Sequence, residues 1–185
     1  MAAPASTNAL NPVTNFGTQS DATVSPMLVD ANGGVVSVAS RGSASCTFTP
    51  AASAHTALDS IGGAQTMTFT GASGRLIHLR GYTLSIATTT PITTVYTAFI
   101  FSSTPTVIAD DAAFEIAAAD GAKLAGGPVA IAQPTDYTST WQMASGLIAG
   151  HPIQLVTDTA TVYLQHTTGV TTEAVAFKLT LYYDL

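Results

Sequence analysis

Residues 176–183 read Ala-Phe-Lys-Leu-Thr-Leu-Tyr-Tyr, and they decide the fold class. Large apolar side chains occupy every second position, and the positions between them hold alanine, lysine, threonine and tyrosine. A period of two places these two sets of side chains on opposite faces of an extended strand. The apolar set is Phe177, Leu179, Leu181 and Tyr183. The stretch therefore predicts a β-strand that turns one face to an apolar core.

Earlier segments repeat this behaviour between turn residues. Residues 46–49 and 66–70 alternate in the same way, and residues 95–101 form a nearly continuous apolar run typical of a central strand. Glycine and proline punctuate the chain between these segments, and Asn32-Gly33 is a strong turn signal. We expect about eight or nine strands, a number typical of an antiparallel sandwich or barrel. The predicted domain covers residues 26–185.

The strand predicted over residues 75–86 contains a change of phase. Ile77 and Leu79 occupy odd positions, whereas Leu84 and Ile86 occupy even ones, and Gly81 lies between the two pairs. One extra residue in a strand turns every later side chain to the other face. We therefore predict a β-bulge within one residue of Gly81.

One short helix is predicted near residues 110–119. The segment is rich in alanine, Asp110 is placed to cap it, and Gly121 is placed to end it.

Residues 1–25 are predicted to form an extended N-terminal arm. They contain proline, asparagine and glycine but no regular apolar period. Such a segment is disordered or becomes ordered only against a partner. The spaced apolar residues Leu10, Val13 and Phe16 are the candidate partner-binding anchors.

Composition limits the function. The 185 residues suit one domain, and only 9% of them are charged, with a formal net charge of -6. A nucleic-acid ligand is not expected, because binding to phosphates requires a basic surface. No apolar run approaches the ~18 residues of a membrane span, and the start lacks the features of a signal peptide. The single cysteine, Cys46, excludes an internal disulfide and is expected to be a small buried apolar residue.

The same composition favours contact with other proteins. With 30 threonines and 31 alanines, the chain offers a neutral surface in place of the charged one that usually keeps a monomer soluble. We therefore predict a homo-oligomer, with a trimer as the expected form.

No motif of an enzyme, phosphate-binding loop, zinc protease or EF-hand occurs, so neither catalysis nor a cofactor or metal is predicted. His55, Asp59 and Ser60 include the residue types of a catalytic triad, but they are neighbours in one loop. We interpret them as a polar loop in which the aspartate accepts backbone N–H bonds. For Asp110 and Asp111, helix capping is preferred to a calcium site.

Trp141 is the single tryptophan and follows Tyr137 closely. It is predicted to be a core or subunit-interface residue, and a glycan platform or protein contact is the alternative. We include Trp141 among the candidate partner-binding residues.

Residues 55–63 read His-Thr-Ala-Leu-Asp-Ser-Ile-Gly-Gly. They resemble the Y-x-A-x-D-x-[VI]-G-G segment of a group of small tailed-phage virion proteins, with histidine in place of the usual aromatic residue. In that group an alternating strand, a Gly/Ser turn, a long strand and a short proline motif follow, before the pattern D-[ND]-A-A-F. The same features occur here in the same order within residues 50–125, and residues 110–114 read Asp-Asp-Ala-Ala-Phe.

The resemblance implies a jelly-roll-like β-sandwich, often trimeric, that decorates or cements a capsid on its outer surface. The implied partner is the major capsid protein, and no cofactor is implied. The alternative is a tail, baseplate or host-attachment module that binds a surface glycan.

Overall fold

The computed structural model describes residues 28–29, 35–36, 40–172 and 174–185. The chain divides into two units between Val38 and Ala39. In the first unit, strand β1 (Leu28–Val29) pairs antiparallel with β2 (Val35–Val36). The predicted arm over residues 1–25 and the predicted turn at Asn32-Gly33 lie outside the described residues.

The second unit is built from antiparallel strands. In chain order they are β3 (Arg41–Phe48), β4 (Ala54–His55), β5 (Ser60–Thr68), β6 (Leu76–Ile86), β7 (Tyr96–Phe101), β8 (Val129–Ile131), β9 (Thr135–Thr138), β10 (Trp141–Gln154), β11 (Thr159–His166), β12 (Val170–Thr171) and β13 (Phe177–Asp184).

Two sheets contain most of these strands. One has the order β3-β13-β6-β10-β9 and the other β5-β11-β7-β8, while β4 pairs separately with β12. The first and last of the long strands, β3 and β13, are neighbours. The chain crosses repeatedly between the two sheets, except that β8 follows β7 within one sheet and β10 follows β9 within the other. This order is that of a jelly roll. The predicted all-β, antiparallel sandwich is therefore confirmed.

The core lies between the inward faces of the two sheets. The four apolar residues of β13 are all buried, with none more than 2% exposed: Phe177, Leu179, Leu181 and Tyr183. Phe177 packs edge-on against Tyr96 of the other sheet, with ring centroids 6.1 Å apart. Burying each such side chain contributes roughly 1.5–3 kcal/mol to the free energy of folding. Side-chain packing between the two sheets is therefore the main source of stability.

The predicted bulge in β6 is present. Tyr182 and Tyr183 of β13 are consecutive, yet they pair with Gly81 and Leu79, so Arg80 is the extra residue on β6. Ile77 and Leu79 before this point are buried, and Tyr82, Leu84 and Ile86 after it are buried as well. The bulge thus keeps the core face of β6 apolar on both sides of the phase change.

The short helix is present, but it does not lie where the alanine content predicts it. A 3-10 helix covers Ala118–Lys123, and residues 110–117 are irregular. Asp110 does not cap a helix, because its carboxylate accepts hydrogen bonds from the backbone N–H groups of Ala51 and Gly62, each at 2.6 Å. Asp111 has a φ of 59°, a left-handed conformation that interrupts a helix. Long-range hydrogen bonding therefore outweighs the local helix propensity of this segment.

Candidate functional site

Three segments meet at one end of the four-stranded sheet, where β11 ends and β5 begins. The Leu58 N–H donates to the carbonyl of His166 at 3.1 Å, which ties the loop before β5 to the end of β11. Asp59 forms an isolated bridge with Ala113, and the Ser60 N–H donates to the Ala112 carbonyl at 2.9 Å. Residues 55–60, 110–114 and 166–170 are thereby fixed around one small volume.

Two histidines and one aspartate are buried in this volume. His55, Asp59 and His166 are 3%, 4% and 0% exposed. The two imidazole rings meet edge to face, with centroids 5.8 Å apart. One nitrogen from each ring and one oxygen of the carboxylate lie within 4.8 Å of one another. The fold therefore brings His166 to two potential metal ligands, His55 and Asp59, from a position more than 100 residues later in the sequence.

The protonation state of His166 follows from its hydrogen bond. Its Nδ1 lies 2.7 Å from the carbonyl oxygen of Thr168. Because a carbonyl only accepts, Nδ1 is the protonated nitrogen and Nε2 carries a lone pair in the neutral ring. Nε2 is buried and has no hydrogen-bond partner among the described residues. Burial is the main cause that lowers the pKa of His166, and the nearby His55 lowers it further, so the neutral ring is favoured.

The Nδ1 nitrogen of His55 also has no hydrogen-bond partner among the described residues. Its Nε2 lies 3.4 Å from the Ser53 hydroxyl, which in turn donates to Asp111 Oδ2 at 3.4 Å. The tautomer with its proton on Nε2 continues this chain. Nδ1 lies 3.2 Å from Asp111 Oδ1, within ion-pair distance when the ring is protonated, and it forms no hydrogen bond with any described residue.

Asp59 is held in place by Thr56. The backbone N–H and the hydroxyl of Thr56 both donate to Asp59 Oδ2, each at 2.7 Å. The prediction of a polar loop with an aspartate that accepts a backbone N–H is therefore confirmed. Within the described ranges, Ser60 Oγ is buried and has no hydrogen-bond partner, so His55, Asp59 and Ser60 do not form a triad.

Sequence reasoning missed His166 as a member of this cluster. It belongs to β11, more than 100 positions after His55, and its neighbours in the sequence contain no ligand motif. Only strand order brings it to the loop, because β11 pairs with β5, which begins directly after Asp59.

The other predicted residues lie elsewhere. Trp141 begins β10 and is 37% exposed, so the core interpretation is wrong. Its ring lies 5.4 Å from that of Tyr137, which is 59% exposed. Leu10, Val13 and Phe16 lie outside the described residues.

Cys46 is buried, as predicted for a small apolar residue. Burial raises the pKa of its thiol to about 12, which leaves almost no thiolate for nucleophilic chemistry at neutral pH.

A second feature lies on the outer face of the five-stranded sheet, next to the bulge. An open depression of about 1100 Å³ is formed there, with Gly81, Gly146 and Leu147 among its lining residues. Leu147 is 97% exposed and Tyr182 is 45% exposed. We call this surface the Leu147 face. Sequence periodicity did not reveal it, because residues 146–150 do not follow the strand period.

A scan against models of protein families found no match for this chain, and a search of curated proteins found none either. Among the residues that the structure describes, no helix has the length and apolar character required to cross a bilayer.

Proposed function

We propose that the protein is a structural component of a tailed-phage virion that binds the outer surface of the capsid and stabilises the shell. Its partner in this proposal is the major capsid protein, and it acts as a homo-oligomer, with a trimer as the expected form. It is not an enzyme in this account. The observation that carries the proposal is the Leu147 face, an exposed surface of mainly apolar character whose lining also includes Arg41, Arg80 and Asp184.

The Leu147 face has the properties of a contact surface. A leucine side chain gains roughly 1.5–3 kcal/mol when it moves from water into an apolar contact. Leu147 gains almost none of this in the isolated chain, because it is nearly completely exposed. The depression beside Leu147 is open to solvent, so a partner's apolar side chain can enter it. This geometry favours a protein partner over a small ligand, which requires a more enclosed cavity.

Charge favours the outside of the shell. The chain carries a formal net charge of -6 with five lysines and arginines. Arg80, one of these few cations, is already paired with Asp184 at 2.6 Å. A surface of this charge is repelled by packaged DNA, so a position on the outer face is favoured.

The two segments that carry the resemblance to the phage virion proteins lie side by side in the structure. Its two most recognisable segments, residues 55–63 and 110–114, contact each other through the bridge between Asp59 and Ala113 and the bond from Gly62 to Asp110. A spacing that looks accidental along the chain therefore corresponds to one structural unit. The jelly-roll strand order is the fold that the resemblance implies.

Stabilisation of the shell requires no chemistry. A protein that binds the assembled shell and not its separate subunits shifts the equilibrium toward assembly by mass action. Symmetric copies contact several capsid subunits at once, which raises avidity without strong single contacts.

The experiment is a sedimentation assay with DNA-filled heads of the encoding phage from which this protein has been removed. Purified protein is added, and the bound fraction is measured against concentration. Leu147→Asp is expected to weaken binding roughly 10- to 100-fold, because a charge replaces ~1.5–3 kcal/mol of apolar contact and ~1.4 kcal/mol is tenfold.

Val107→Asp is the matched control, since Val107 is also an exposed apolar residue, at 73%, but lies in a loop away from the Leu147 face. It is expected to bind as the unaltered protein does. Failure of the unaltered protein to bind heads contradicts the proposed function. If Leu147→Asp and Val107→Asp bind heads equally well, the Leu147 face does not take part in capsid binding.

A glycan-binding tail or host-attachment module is the second candidate, and the exposed pair Tyr137 and Trp141 favours it. Stacked or tilted aromatic rings at a surface are suited to sugar faces. Trp141 is the single tryptophan, so its fluorescence reports directly on this surface. Saturable quenching by host surface polysaccharide, lost in Tyr137→Ala, supports this candidate, whereas no change excludes it.

A further inference from the structure

We propose that His55, Asp59 and His166 form a binding site for one divalent transition-metal ion of the zinc class. The site is independent of the proposed virion function.

The donor set selects the class of ion. Two imidazole nitrogens and one carboxylate oxygen are ligands typical of zinc, whereas calcium and magnesium prefer oxygen ligands alone. His166 Nε2 carries a lone pair in the tautomer that its hydrogen bond to the Thr168 carbonyl requires. Neither His166 Nε2 nor His55 Nδ1 has a hydrogen-bond partner in the described part of the chain. A cation that takes the place of a proton on His55 Nδ1 satisfies both buried nitrogens at once.

The outer surroundings are those of a prepared metal site. A metal-bound histidine usually donates its other ring N–H to a carbonyl or carboxylate, which fixes both tautomer and orientation. His166 does so through Nδ1 and the Thr168 carbonyl, at 2.7 Å. Asp59 is oriented by the two bonds from Thr56 to Oδ2, which leaves Oδ1 to ligate. Each of these partners holds a ligand in place and leaves its other donor atom, His166 Nε2 or Asp59 Oδ1, unoccupied.

Metal binding draws the cluster together. The ligand atoms lie up to 4.8 Å apart, whereas tetrahedral zinc with bonds of ~2.0–2.1 Å places its ligands about 3.3 Å apart. The rings and the carboxylate therefore close on the ion by small side-chain rotations. Because His55 ends β4, Asp59 lies in the loop before β5 and His166 ends β11, the ion joins these segments.

Asp111 lies on the solvent-facing side of the site. Its side chain is 39% exposed, and its Oδ1 is 3.2 Å from His55 Nδ1. It is thus placed to supply the fourth position, directly or through a bound water. It also marks the route by which an ion enters from solvent.

The test uses the full chain without an affinity tag, stripped of metal with a chelator and then titrated with zinc sulfate by calorimetry. One zinc ion per chain is expected to bind. Cobalt is the second probe, because tetrahedral Co²⁺ with nitrogen and oxygen ligands gives visible absorption bands. His166→Gln and His55→Gln are each expected to weaken zinc binding at least ~100-fold and to remove the cobalt bands.

His151→Gln is the matched control. His151 is a histidine of the same chain that lies outside the cluster and contacts the Gly127 carbonyl at 2.9 Å. It is expected to leave stoichiometry and affinity unchanged. Zinc is also expected to raise the thermal midpoint of the unaltered protein and of His151→Gln, but not that of His166→Gln.

Thr56→Val keeps all three ligands and remains informative if the histidine variants do not fold. It removes one of the two bonds to Asp59, and about tenfold weaker zinc binding is expected. The proposal is overturned if the folded, unaltered protein takes up no zinc. It is also overturned if folded His55→Gln and His166→Gln, or Thr56→Val alone, bind zinc as tightly as the unaltered protein. None of these outcomes bears on capsid binding.

Discussion

Gly62, near the start of β5, shows how a single residue is fixed by its surroundings. It has a φ of +67°, and a Cβ placed on it would lie 2.8 Å from Phe48 Cβ and 2.7 Å from the Thr49 nitrogen. Both the backbone conformation and the space require glycine. The contact with the end of β3 is visible only in the fold.

Gly62→Ala is therefore expected to destabilise the protein by roughly 2–4 kcal/mol, the sum of left-handed strain and overpacking. The measurement is chemical denaturation followed by circular dichroism. Gly74→Ala is the control, because Gly74 has a φ of +68° but nothing within 4 Å of the added Cβ. It should cost about 1 kcal/mol. Equal losses in the two variants would show that crowding at Gly62 is unimportant.

Asp120 is a buried carboxylate whose charge is stabilised locally. Lys123 Nζ lies 2.8 Å from Oδ1, and the Thr106 N–H donates to Oδ2 at 2.9 Å. The hydrogen bond from Lys123 is the main cause that lowers the pKa of Asp120 to about 2, followed by the bonds from Thr106. A depressed carboxyl pKa contributes stability that is present above the unfolded value of ~3.9 and is lost as pH falls through about 2.

Lys123→Met is expected to raise the pKa of Asp120 toward its usual range, so that this carboxylate contributes less stability and the loss of its contribution is complete at a higher pH. An NMR titration of the Asp120 carboxyl carbon measures the change. Lys178→Met, at the other lysine of the chain, is the control and should leave the pKa unchanged. An Asp120 pKa that is the same in the Lys123 variant refutes the assignment.

At the scale of elements, the bulge in β6 has a structural consequence. The extra residue turns Tyr82 inward, where its hydroxyl accepts a hydrogen bond from the Ala132 N–H at 2.8 Å. Ala132 follows β8, which belongs to the other sheet. The bulge therefore makes a polar connection between the two layers at the same position where it opens the Leu147 face.

Tyr82→Phe is expected to destabilise the protein by about 1 kcal/mol or slightly more, because the Ala132 N–H loses its partner. Tyr182→Phe is the matched control on the neighbouring strand, where the hydroxyl lies 3.3 Å from Thr83 Oγ1 at the surface. It should change stability by less than ~0.5 kcal/mol. Thermal and denaturant unfolding of both variants measure the difference, and equal effects contradict a connecting role for Tyr82.

Elements with a local periodic pattern can be predicted from the sequence, whereas elements fixed by distant contacts cannot. The strand β13 and the bulge at Gly81 were predictable, since each leaves a periodic trace within a few residues. The helix near residues 110–119 was placed wrongly, because the bonds from Ala51 and Gly62 to Asp110 come from positions some 50 residues away. Helix propensity depends on residues that are close in the sequence, so it does not reflect hydrogen bonds from such distant positions. The cluster of His55 and His166 was unpredictable for the same reason.

At the scale of the whole molecule, the two units of the chain make different contributions in this account. Among the described residues, the buried apolar core begins at Ala44 and continues to Tyr183. The sandwich therefore has a core of its own within residues 39–185. The predicted arm carries the docking anchors Leu10, Val13 and Phe16 and stays a prediction, because it precedes the described residues.

Deletion of residues 2–20 is expected to leave the thermal midpoint of the isolated protein nearly unchanged and to weaken its binding to heads. Ordering an arm costs roughly 1–2 kcal/mol per residue, so only a partner with pockets and strand edges fixes it. Calorimetry and the sedimentation assay measure the two effects, with Phe16→Ala expected to reproduce part of the second. If the truncated protein unfolds, the arm is part of the core. If its binding to heads is unchanged, the arm has no docking role.

Electron cryo-microscopy of the mature phage particle shows directly whether the protein lies on the capsid. We expect density for the jelly roll of residues 40–185 on the outer surface of the shell, in symmetric copies, with the Leu147 face against the major capsid protein. Density for the same fold in the tail or baseplate, inside the shell, or nowhere in the particle would contradict it.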